Sequence, residues 1–563
     1  MDAQHVAPTV ETVTLTVAGE APRQVPRGTQ LGAALPSEVG GLPVLAALVN
    51  NDVAPLDMPL LVNAQVKPLT LADEEGWQVY RRTLCFLVAK VLHGDFPGVA
   101  CRVRQSFGHN ALYWTWEVSA GERDAKVAAL RAGVARLIAT DAPIRHQLYA
   151  YADILERFRA NGQMDKVNLL AHRNPPYLAL ATCGGFYDLP QGVMATRTGV
   201  LRLFDLVPLQ EGFVLEFPSV KTPTELDPMP PYDFLFEIYA EHLRWGEIIG
   251  IRNAGELNAA IADGSVLDVI NTVEALHERR LASLADRVAS KIPRPHVVLV
   301  AGPSSAGKTT FAMRLCTHLR VLGLKPTLIS TDNYFVGDAR NPRDEHGNLD
   351  YEHLDAVDRP RLNADILRLL KGETIPLRKF NFIQHEPYDS EETLSLDPAL
   401  GVLVIEGIHS LNPDLTPDIP RSEKFLIYVN ALTQLAIDSN NRISTIDNRL
   451  LRRLVRDGQF RGRSPRETLR LWPSVRAGEE KWIFPFQHFA DAVFNTALDY
   501  EIPVLKTLAG PLLNQIKPFH PEFVLARRLS CFLQNFTAMP MADVPTNSIL
   551  REYLGESRLR YQS

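Results

Sequence analysis

The sequence has few cysteines and no long apolar run. Its 563 residues include five cysteines, none in a Cys-x-x-Cys pair, which excludes a disulfide scaffold and gives no zinc-ribbon spacing. No stretch approaches the about 18 uninterrupted apolar residues that a membrane-spanning helix needs. The first residues lack the basic segment and apolar segment of a secretory signal. We therefore expect a cytoplasmic protein in a reducing environment, without membrane contact.

Neither sign of charge is in large excess. The 59 Lys and Arg residues against 65 Asp and Glu residues give a formal net charge of −6, which excludes a general attraction to nucleic acid or anionic lipid. Any contact with RNA needs a local basic patch. With 46% hydrophobic residues, the chain is apolar enough for packed cores, so global disorder is excluded, and its length predicts several domains.

The secondary-structure signals predict five segments. Residues 1–72 alternate short β-rich runs with turns, as a small β-grasp-like domain does, and residues 73–225 show an α+β pattern. Residues 226–290 form a helical connector that begins with prolines, and residues 291–510 have the α/β pattern of a mostly parallel, doubly wound sheet. Residues 511–563 are expected to be helices that pack on the α/β segment and offer no chemistry of their own. The strands predicted in the α/β segment are residues 296–301, 325–330, 401–405, 425–429 and 503–505.

A glycine-rich loop in the α/β segment fits the pattern G-x-x-x-x-G-K-[ST]. It follows an apolar strand and precedes a helical run, which is the context of a phosphate-binding loop; the alternative is a plain glycine-rich turn. In such a loop, backbone N–H groups face the phosphates, the lysine neutralises phosphate oxygens and the hydroxyl ligates magnesium. The sequence therefore predicts an ATP site formed by Gly302, Pro303, Ser304, Ser305, Ala306, Gly307, Lys308, Thr309 and Thr310.

Two acidic residues follow predicted strands at the carboxyl edge of the sheet, where open α/β sheets bind ligands. Asp332 is the candidate general base, which accepts the proton of an acceptor hydroxyl; the alternative is an aspartate that only caps its turn. Glu406 follows the apolar run 401–405 and is, with Thr309, the candidate magnesium ligand. The alternative interpretation is that Glu406 only occupies an ordinary turn at the end of a strand.

Seven arginines lie within residues 442–463 of a chain that is acidic on average. Four of them recur at helical spacing and share one face: Arg449, Arg452, Arg453 and Arg456. Such a stripe is unfavourable unless anions neutralise it, as ATP phosphates and transition-state charge would do. The alternative is a face that pairs with acids elsewhere, although only Asp447 and Asp457 are local.

These motifs, in this order, resemble the uridine and cytidine kinases of the uridine kinase and phosphoribulokinase superfamily, over roughly residues 291–510. The resemblance implies ATP- and Mg²⁺-dependent phosphorylation of a nucleoside 5′-hydroxyl, in a protein that commonly associates as a homo-oligomer. It assigns the phosphate-handling residues to two groups: Lys308, Asp332, Arg453 and Arg456 in catalysis, and Arg461 and Arg463 in ATP binding.

The acceptor site departs from this family's pattern. The aromatic-acid-His run that contacts the sugar reads Tyr351-Glu352-His353, with a longer acid than in the family. The segment Tyr-Asp-Phe-x-x-His of uridine kinases reads Phe-Asn-Phe-Ile-Gln-His at residues 380–385, and a Gln-Tyr pair of the lid is Leu471-Trp472. These changes remove partners for a pyrimidine base, so the base specificity stays open. The implied substrate-binding residues are Tyr334, Tyr351, Glu352, Phe380, Phe382, His385 and Arg453.

The N-terminal part resembles the accessory region of threonyl-tRNA synthetase. Residues 1–72 are similar to its small TGS domain and residues 73–225 to its second, editing-type domain. The HxxxH motif of that editing site is absent from residues 81–87, and Tyr187 replaces the histidine that follows Cys183. A metal-dependent hydrolase is therefore not expected, and we predict a binding or regulatory scaffold.

Two other hypotheses stay open. A TGS-like module implies contact with RNA or nucleotides, so the chain could be a nucleotide-responsive RNA- or ribosome-associated regulatory NTPase; no aromatic and basic stripe indicates RNA independently. Alternatively, the kinase acts on another small hydroxyl compound, such as a sugar phosphate or pantothenate.

Overall fold

The computed structural model describes residues 11–108, 110–228, 246, 248–344, 347–381 and 384–559. Of the predicted substrate-binding residues, Phe382 lies outside these ranges. In the described part, no helix combines the length and the apolar character needed to cross a membrane.

The first described residues form a five-stranded mixed sheet in the order β2-β1-β7-β5-β6. Val13, Leu15 and Val17 alternate along β1 and bury one face of this sheet, as a period of two residues predicts. The description of this region as a β-grasp-like domain stays a prediction. Its elements are β1 (Thr12–Val17), β2 (Arg23–Pro26), α1 (Leu31–Ala34), β3 (Glu38–Val39), β4 (Leu42–Pro43), β5 (Ala46–Val49), β6 (Asp52–Ala54) and β7 (Ala64–Leu69).

The next region contains two antiparallel sheets. A four-stranded sheet has the order β13-β14-β9-β8, and a three-stranded sheet has the order β10-β11-β12. The synthetase-like description of this region also stays a prediction. Its elements are α2 (Glu74–Asp95), β8 (Cys101–Phe107), β9 (Ala111–Trp116), α3 (Ala120–Ala139), β10 (Arg145–Ala150), α4 (Tyr151–Ala160), α5 (Met164–Leu170), β11 (Tyr177–Cys183), β12 (Phe186–Asp188), β13 (Asp205–Leu209) and β14 (Gly212–Glu216).

Two helices, α6 (Ala254–Asp263) and α7 (Val266–Ser290), lead into the α/β region. Helices of the α/β region contribute apolar side chains to the same core as α4 and α5. The N-terminal and α/β regions therefore share buried contacts. The elements are β15 (Val297–Ala301), α8 (Lys308–Val321), β16 (Lys325–Ser330), α9 (Arg359–Leu370), β17 (Ile375–Asn381), β18 (Glu386–Leu394), β19 (Gly401–Glu406), β20 (Lys424–Asn430), α10 (Thr445–Phe460), α11 (Pro465–Trp482), β21 (Ala492–Asn495), α12 (Glu501–Leu513), α13 (Phe523–Leu533) and α14 (Arg551–Leu554).

The predicted α/β fold is confirmed by a five-stranded parallel sheet in the order β16-β19-β15-β20-β21. Every residue of β15, β19 and β20 is buried, as expected of strands covered by helices on both faces. The strands β17 and β18 form a separate antiparallel hairpin.

One predicted strand is wrong. Residues 503–505 lie in α12, and the fifth strand of the sheet is β21. A short apolar run does not distinguish a strand from a buried helix. Pro503 fits the first turn of α12 because backbone N–H groups have no intrahelical partner there.

Candidate functional site

The predicted phosphate-binding loop connects β15 to α8 at the carboxyl edge of the parallel sheet. Its backbone is curled, with a φ of 59° at Ser305 and of 81° at Gly307. Gly302 packs so closely on β20 that a Cβ atom there would lie 1.9 Å from the carbonyl oxygen of Val429. The first glycine therefore permits close packing and the second a left-handed backbone.

Lys308 and Thr309 begin α8 and point back toward the loop and the sheet edge. The Lys308 ammonium donates to the carbonyl oxygen of Pro303 at 3.2 Å. The Thr309 hydroxyl donates to Oε1 of Glu406 at 3.4 Å. Burial lowers the pKa of Lys308, while the negative charges of Glu406 and Asp332 act in the opposite direction.

The sheet register brings the two predicted acids to the same edge. Ser330, the last residue of β16, pairs with Glu406 of β19, and Asp332 follows in the 3₁₀ turn Thr331–Tyr334. Burial, then the charge of Asp332, raises the pKa of Glu406 to about 7, against the opposing effect of Lys308. Two acids and an ammonium group thus surround the position that the loop offers to phosphates.

Glu352 is a third acid of this site. Burial raises the pKa of its carboxyl group to about 7, and Glu479 and Asp332 add to this shift while Arg453 and Lys308 oppose it. Among the described residues, its Oε2 atom has no hydrogen-bond partner. A buried, unpaired carboxylate oxygen beside Lys308 and Asp332 is suited to bind a hydroxyl group of a substrate.

The arginine stripe on α10 is divided between two roles, which corrects the expectation that anions neutralise all of it. Arg449 pairs with Glu479, and Arg452 pairs with Glu501 at 2.5 Å, all four side chains being buried. These acids come from α11 and α12, so the sequence around α10 does not reveal them. Both arginines are therefore structural.

Arg449 also donates to the carbonyl oxygen of Ser304 in the loop at 2.9 Å, and the charges of the remaining arginines act on one another and on the acids of the site. Arg453 donates to the Ser304 hydroxyl at 2.6 Å, and Arg456 contacts Asp457 at 3.1 Å. The nearby charge of Arg456, then burial, lowers the pKa of Arg461 to about 10, with Asp457 and Asp332 in opposition. Arg463 is close enough for its charge to act on Arg453 and Tyr351. Like charges crowded in this way attract a polyanion.

A second group of predicted residues lies around Tyr351. The Tyr351 hydroxyl contacts Asp338 and lies 3.0 Å from Nδ1 of His385. Phe380 packs against Phe335, with ring centroids 5.6 Å apart. Tyr351 also contacts Phe335 edge-on, so these side chains form one aromatic cluster.

Tyr334 does not have the predicted role. Its side chain is buried in the core, and its hydroxyl donates to Asp365 at 3.2 Å. The residue therefore anchors the turn that carries Asp332, and its hydroxyl is already used within the protein. Trp472 is likewise buried, beneath the Arg449 guanidinium at 5.6 Å from the ring centroid.

Comparison with known proteins assigns this region. Residues 297–503 match the model of the phosphoribulokinase / uridine kinase family. They form an ATP-dependent kinase domain. The uridine kinase of Lactobacillus helveticus is 29% identical over 232 residues, which are 40% of this chain and 99% of that protein. The uridine kinase of Deinococcus deserti is 28% identical over 201 residues, which are 36% of this chain and 87% of that protein.

Two further similarities are partial. The threonine–tRNA ligase of Parabacteroides distasonis is 30% identical over 162 residues, which are 28% of this chain and only 24% of that protein. The structure of a possible uridine kinase from Bacillus stearothermophilus is 19% identical, with a TM-score of 0.26 over 38% of this chain and 98% of that one.

Three contacts of the kinase domain's loop were not predicted from the sequence. Ser304 N–H donates to Glu479 at 3.2 Å, and Thr310 N–H donates to Glu552 at 3.2 Å. The Tyr553 hydroxyl donates to the carbonyl oxygen of Ser305 at 3.0 Å. The arginines of residues 442–463 outnumber the acids near them in the sequence, which indicates that acids elsewhere, such as Glu479, pair with them. No sequence signal points to Glu552. Residues 511–563 thus contact the loop directly, which is more than the packing of helices that the sequence predicts for them.

Burial favours the thiol form of two cysteines in the N-terminal region, Cys85 and Cys183. Burial raises the pKa of Cys85 to about 11, although Arg81, Arg82 and Arg442 act in the opposite direction. Burial also raises the pKa of Cys183. Both thiols are therefore protonated at neutral pH and poor nucleophiles.

Proposed function

We propose that this protein transfers the γ-phosphoryl group of ATP to the 5′-hydroxyl of a nucleoside. One observation carries the proposal: Lys308 and Thr309 of the loop share one sheet edge with the acids Asp332 and Glu406. Open α/β sheets bind ligands at this edge, and phosphoryl transfer needs a phosphate cradle, cations and a base at one place.

The residues present fit a magnesium ion. Mg²⁺ prefers oxygen ligands and is commonly held by one or two carboxylates, hydroxyls and substrate phosphates. The Thr309 hydroxyl and the Glu406 carboxylate lie 3.4 Å apart and offer such ligands. Burial raises the pKa of Glu406 to about 7, and a bound cation would stabilise the ionised form of this carboxyl group. When bound, the ion neutralises charge on the β- and γ-phosphates.

The protein's own residues have distinct tasks in this reaction. Lys308 exchanges its contact with the Pro303 carbonyl for phosphate oxygens, and Arg453 reaches the transferred group from its position on Ser304. Asp332 accepts the proton of the acceptor hydroxyl as that oxygen bonds to the γ-phosphorus. The bond between the γ-phosphorus and the bridging oxygen breaks, and ADP leaves with that oxygen's electron pair.

The acceptor is proposed to bind between Glu352 and the Tyr351 cluster. Glu352 presents a carboxylate oxygen that has no hydrogen-bond partner among the described residues, which suits the vicinal hydroxyls of a ribose. His385 and Phe380 would line the rest of the site. Tyr334 is excluded from this set because its hydroxyl is used by Asp365.

A second acceptor class has specific support. Phe380 has no polar side-chain group and is mostly buried against Phe335, and Trp472 is buried beneath Arg449, so neither position offers a hydrogen bond to a base. The base would then contribute little recognition, because discrimination depends on hydrogen-bond partners that the site supplies. Another small hydroxyl compound, such as a sugar phosphate, is therefore the alternative acceptor.

A panel of acceptors decides between these classes. ADP release from ATP and Mg²⁺ is measured with uridine, cytidine, adenosine, a pentose phosphate and pantothenate. The nucleoside proposal expects the highest kcat/KM with a nucleoside. A pentose phosphate or pantothenate that exceeds every nucleoside contradicts the nucleoside assignment and supports the second class. Hydrolysis of ATP that no acceptor accelerates contradicts both.

The N-terminal region is proposed to act as a scaffold for the kinase domain, with the five segments divided as the sequence predicts. Buried Lys166 on α5 lies 3.0 Å from Asp188 and 3.5 Å from Asp438, which precedes the arginine-rich helix α10. An ion cluster of this kind fixes two regions to each other because none of its members can be left unpaired.

A further inference from the structure

The residues around α14 lie directly on the phosphate-binding loop. Besides the Glu552 contact with Thr310 N–H, the Tyr553 hydroxyl donates to Ser305. A Cβ atom placed on Gly307 would lie 2.7 Å from the side chain of Ile549. The segment thus contacts the loop at three points, although it lies beyond residues 297–503, which match the kinase family.

The group that Glu552 contacts is one that a nucleotide needs. N–H groups in the first turn of α8 have no partner within the helix and carry partial positive charge. In loops of this type they bind phosphate oxygens. A carboxylate offers oxygen acceptors with the same sign of charge as a phosphate. Glu552 on Thr310 N–H therefore occupies a position that a phosphate oxygen would take.

Glu552 adds charge to a site that is already acidic. Four carboxylates act on Lys308 electrostatically: Glu406, Asp332, Glu552 and Glu352. The nucleotide's phosphates bring further negative charge, so the protein gains by removing one acid when they arrive. Glu406 and Asp332 are needed for the proposed reaction, and Glu352 for the acceptor. Glu552 is the one of these four carboxylates to which the proposed reaction gives no role.

The contact can be released without unfolding the segment. Tyr553, Ile549 and Leu550 are buried, and the Tyr553 ring lies 5.2 Å from the Arg452 guanidinium, so the backbone of α14 is anchored. The Glu552 side chain is only partly buried. In the described part of the chain, no Lys, Arg or His nitrogen is paired with it within 4.0 Å. A side-chain rotation is enough to free Thr310.

We infer that Glu552 is a built-in competitor of nucleotide binding. Its carboxylate occupies Thr310 N–H in the nucleotide-free protein and leaves when a phosphate oxygen takes that position, which lowers the affinity for ATP and ADP. The inference rests on the proposed function only in that the loop binds a nucleotide. It adds an affinity-determining residue that lies outside the kinase domain.

Titration calorimetry with the full-length protein tests it. Kd for ADP and for adenosine is measured for the wild type, Glu552→Gln and Glu552→Ala. The matched control is Glu556→Gln, which removes an equal charge from an exposed neighbour paired with Arg551 at 3.4 Å. We expect ADP to bind about tenfold more tightly to both Glu552 variants, the usual size of a charge-assisted hydrogen bond in competition. Adenosine lacks the phosphates, so its Kd should not change.

The salt dependence of ADP binding distinguishes a direct contact of Glu552 from a general electrostatic effect of its charge. At high ionic strength, distant charges are screened, whereas a displaced contact persists. The gain of the Glu552 variants should therefore remain at 0.5 M NaCl. Thermal unfolding of each variant confirms that it folds.

Each alternative result has one meaning. Equal ADP affinity in the wild type, both Glu552 variants and Glu556→Gln overturns the inference and leaves the proposed function intact. Weaker binding by Glu552→Gln also overturns it, because Glu552 would then support the nucleotide. An equal gain in Glu556→Gln shows a field effect and overturns it too. If no protein binds ADP, both the inference and the proposed function are wrong.

Discussion

The Thr309 hydroxyl and the Glu406 carboxylate lie 3.4 Å apart, although 97 positions separate them in the chain. The parallel register of β15 and β19 produces this contact, because it places Val300 opposite Glu406 at the strand ends. The loop and the acid are thus fixed by the sheet rather than by flexible segments. This relationship brings together the two proposed magnesium ligands, and burial raises the pKa of Glu406 to about 7.

Glu406 should make the nucleotide-free protein less stable as the pH rises. Its folded pKa of about 7 lies above the value of an unfolded glutamate, so the folded state retains a proton that the unfolded chain loses. The free energy of unfolding therefore decreases as the pH rises from the pKa of the unfolded glutamate to the folded pKa of Glu406. The total decrease from this group is at most about 3 kcal/mol.

Thermal unfolding of Glu406→Gln, without nucleotide or Mg²⁺, checks this expectation. The amide cannot ionise, so Tm should exceed that of the wild type at pH 8, and the difference should shrink at pH 5. The variant should also lose kinase activity, because stability and function conflict at this position. A Tm difference that is the same at both pH values contradicts the account.

Gly407→Ala should displace the turn that carries Asp332. A Cβ atom at this position would lie 1.8 Å from the Thr331 hydroxyl oxygen, closer than any real contact. We expect a loss of about 1–3 kcal/mol in stability and a lower kcat, since Thr331 directly precedes the proposed base. Circular dichroism melts and steady-state kinetics measure the two effects.

The control is Gly458→Ala on α10, where an added Cβ atom would make an ordinary contact of 3.4 Å with the Leu512 side chain. This variant should keep wild-type kcat. Wild-type activity in Gly407→Ala would show that the turn does not position Asp332.

The two roles of the α10 arginines should separate experimentally. Glu501→Gln leaves buried Arg452 without its ion pair, so we expect a loss of about 3–5 kcal/mol in stability. Arg456→Ala instead removes a charge from the phosphate-binding side, with a small change in Tm and a higher KM for ATP. Denaturant unfolding and kinetics of both variants test this, and the reverse pattern would refute the division.

Lys166→Met should weaken the link between the N-terminal region and the kinase domain. The substitution leaves Asp188 and Asp438 buried side by side without a cation, which we expect to destabilise the protein by about 3–5 kcal/mol. ADP release should fall as well, because Asp438 precedes α10. The double variant Lys166→Met/Asp188→Asn should recover part of the Tm, measured by differential scanning calorimetry. A Tm unchanged in Lys166→Met would remove the support for a scaffold.

The kinase sheet and its loop could be predicted because their signals are local. Residues 325–330 form β16 as predicted, and the glycine pattern before Lys308 lies between a strand and a helix. Asp332 and Glu406 could be placed at the sheet edge because each lies at or just beyond the end of a predicted strand. Each of these inferences depends on neighbouring residues alone.

The partners of buried charges could not be predicted from the sequence. Arg449 and Arg452 are neutralised by Glu479 and Glu501, whose proximity depends on how α11 and α12 pack on α10. The contact of Glu552 with Thr310 spans 242 positions and has no motif. The hydroxyl of Tyr334 donates to Asp365, which the sequence does not indicate either. In each case tertiary packing, rather than residue type, determines the hydrogen-bond partner of a buried polar group.

The most direct test of the central claim is the rate of nucleoside phosphorylation by the wild type and by Asp332→Asn. The product is identified by mass spectrometry, and Glu391→Gln on the exposed face of β18 serves as the charge control. The account predicts a nucleoside 5′-monophosphate and a rate about 10²–10⁴-fold lower in Asp332→Asn, with unchanged Kd for ATP. Equal rates in the wild type and Asp332→Asn, or no phosphorylated nucleoside at all, would contradict it.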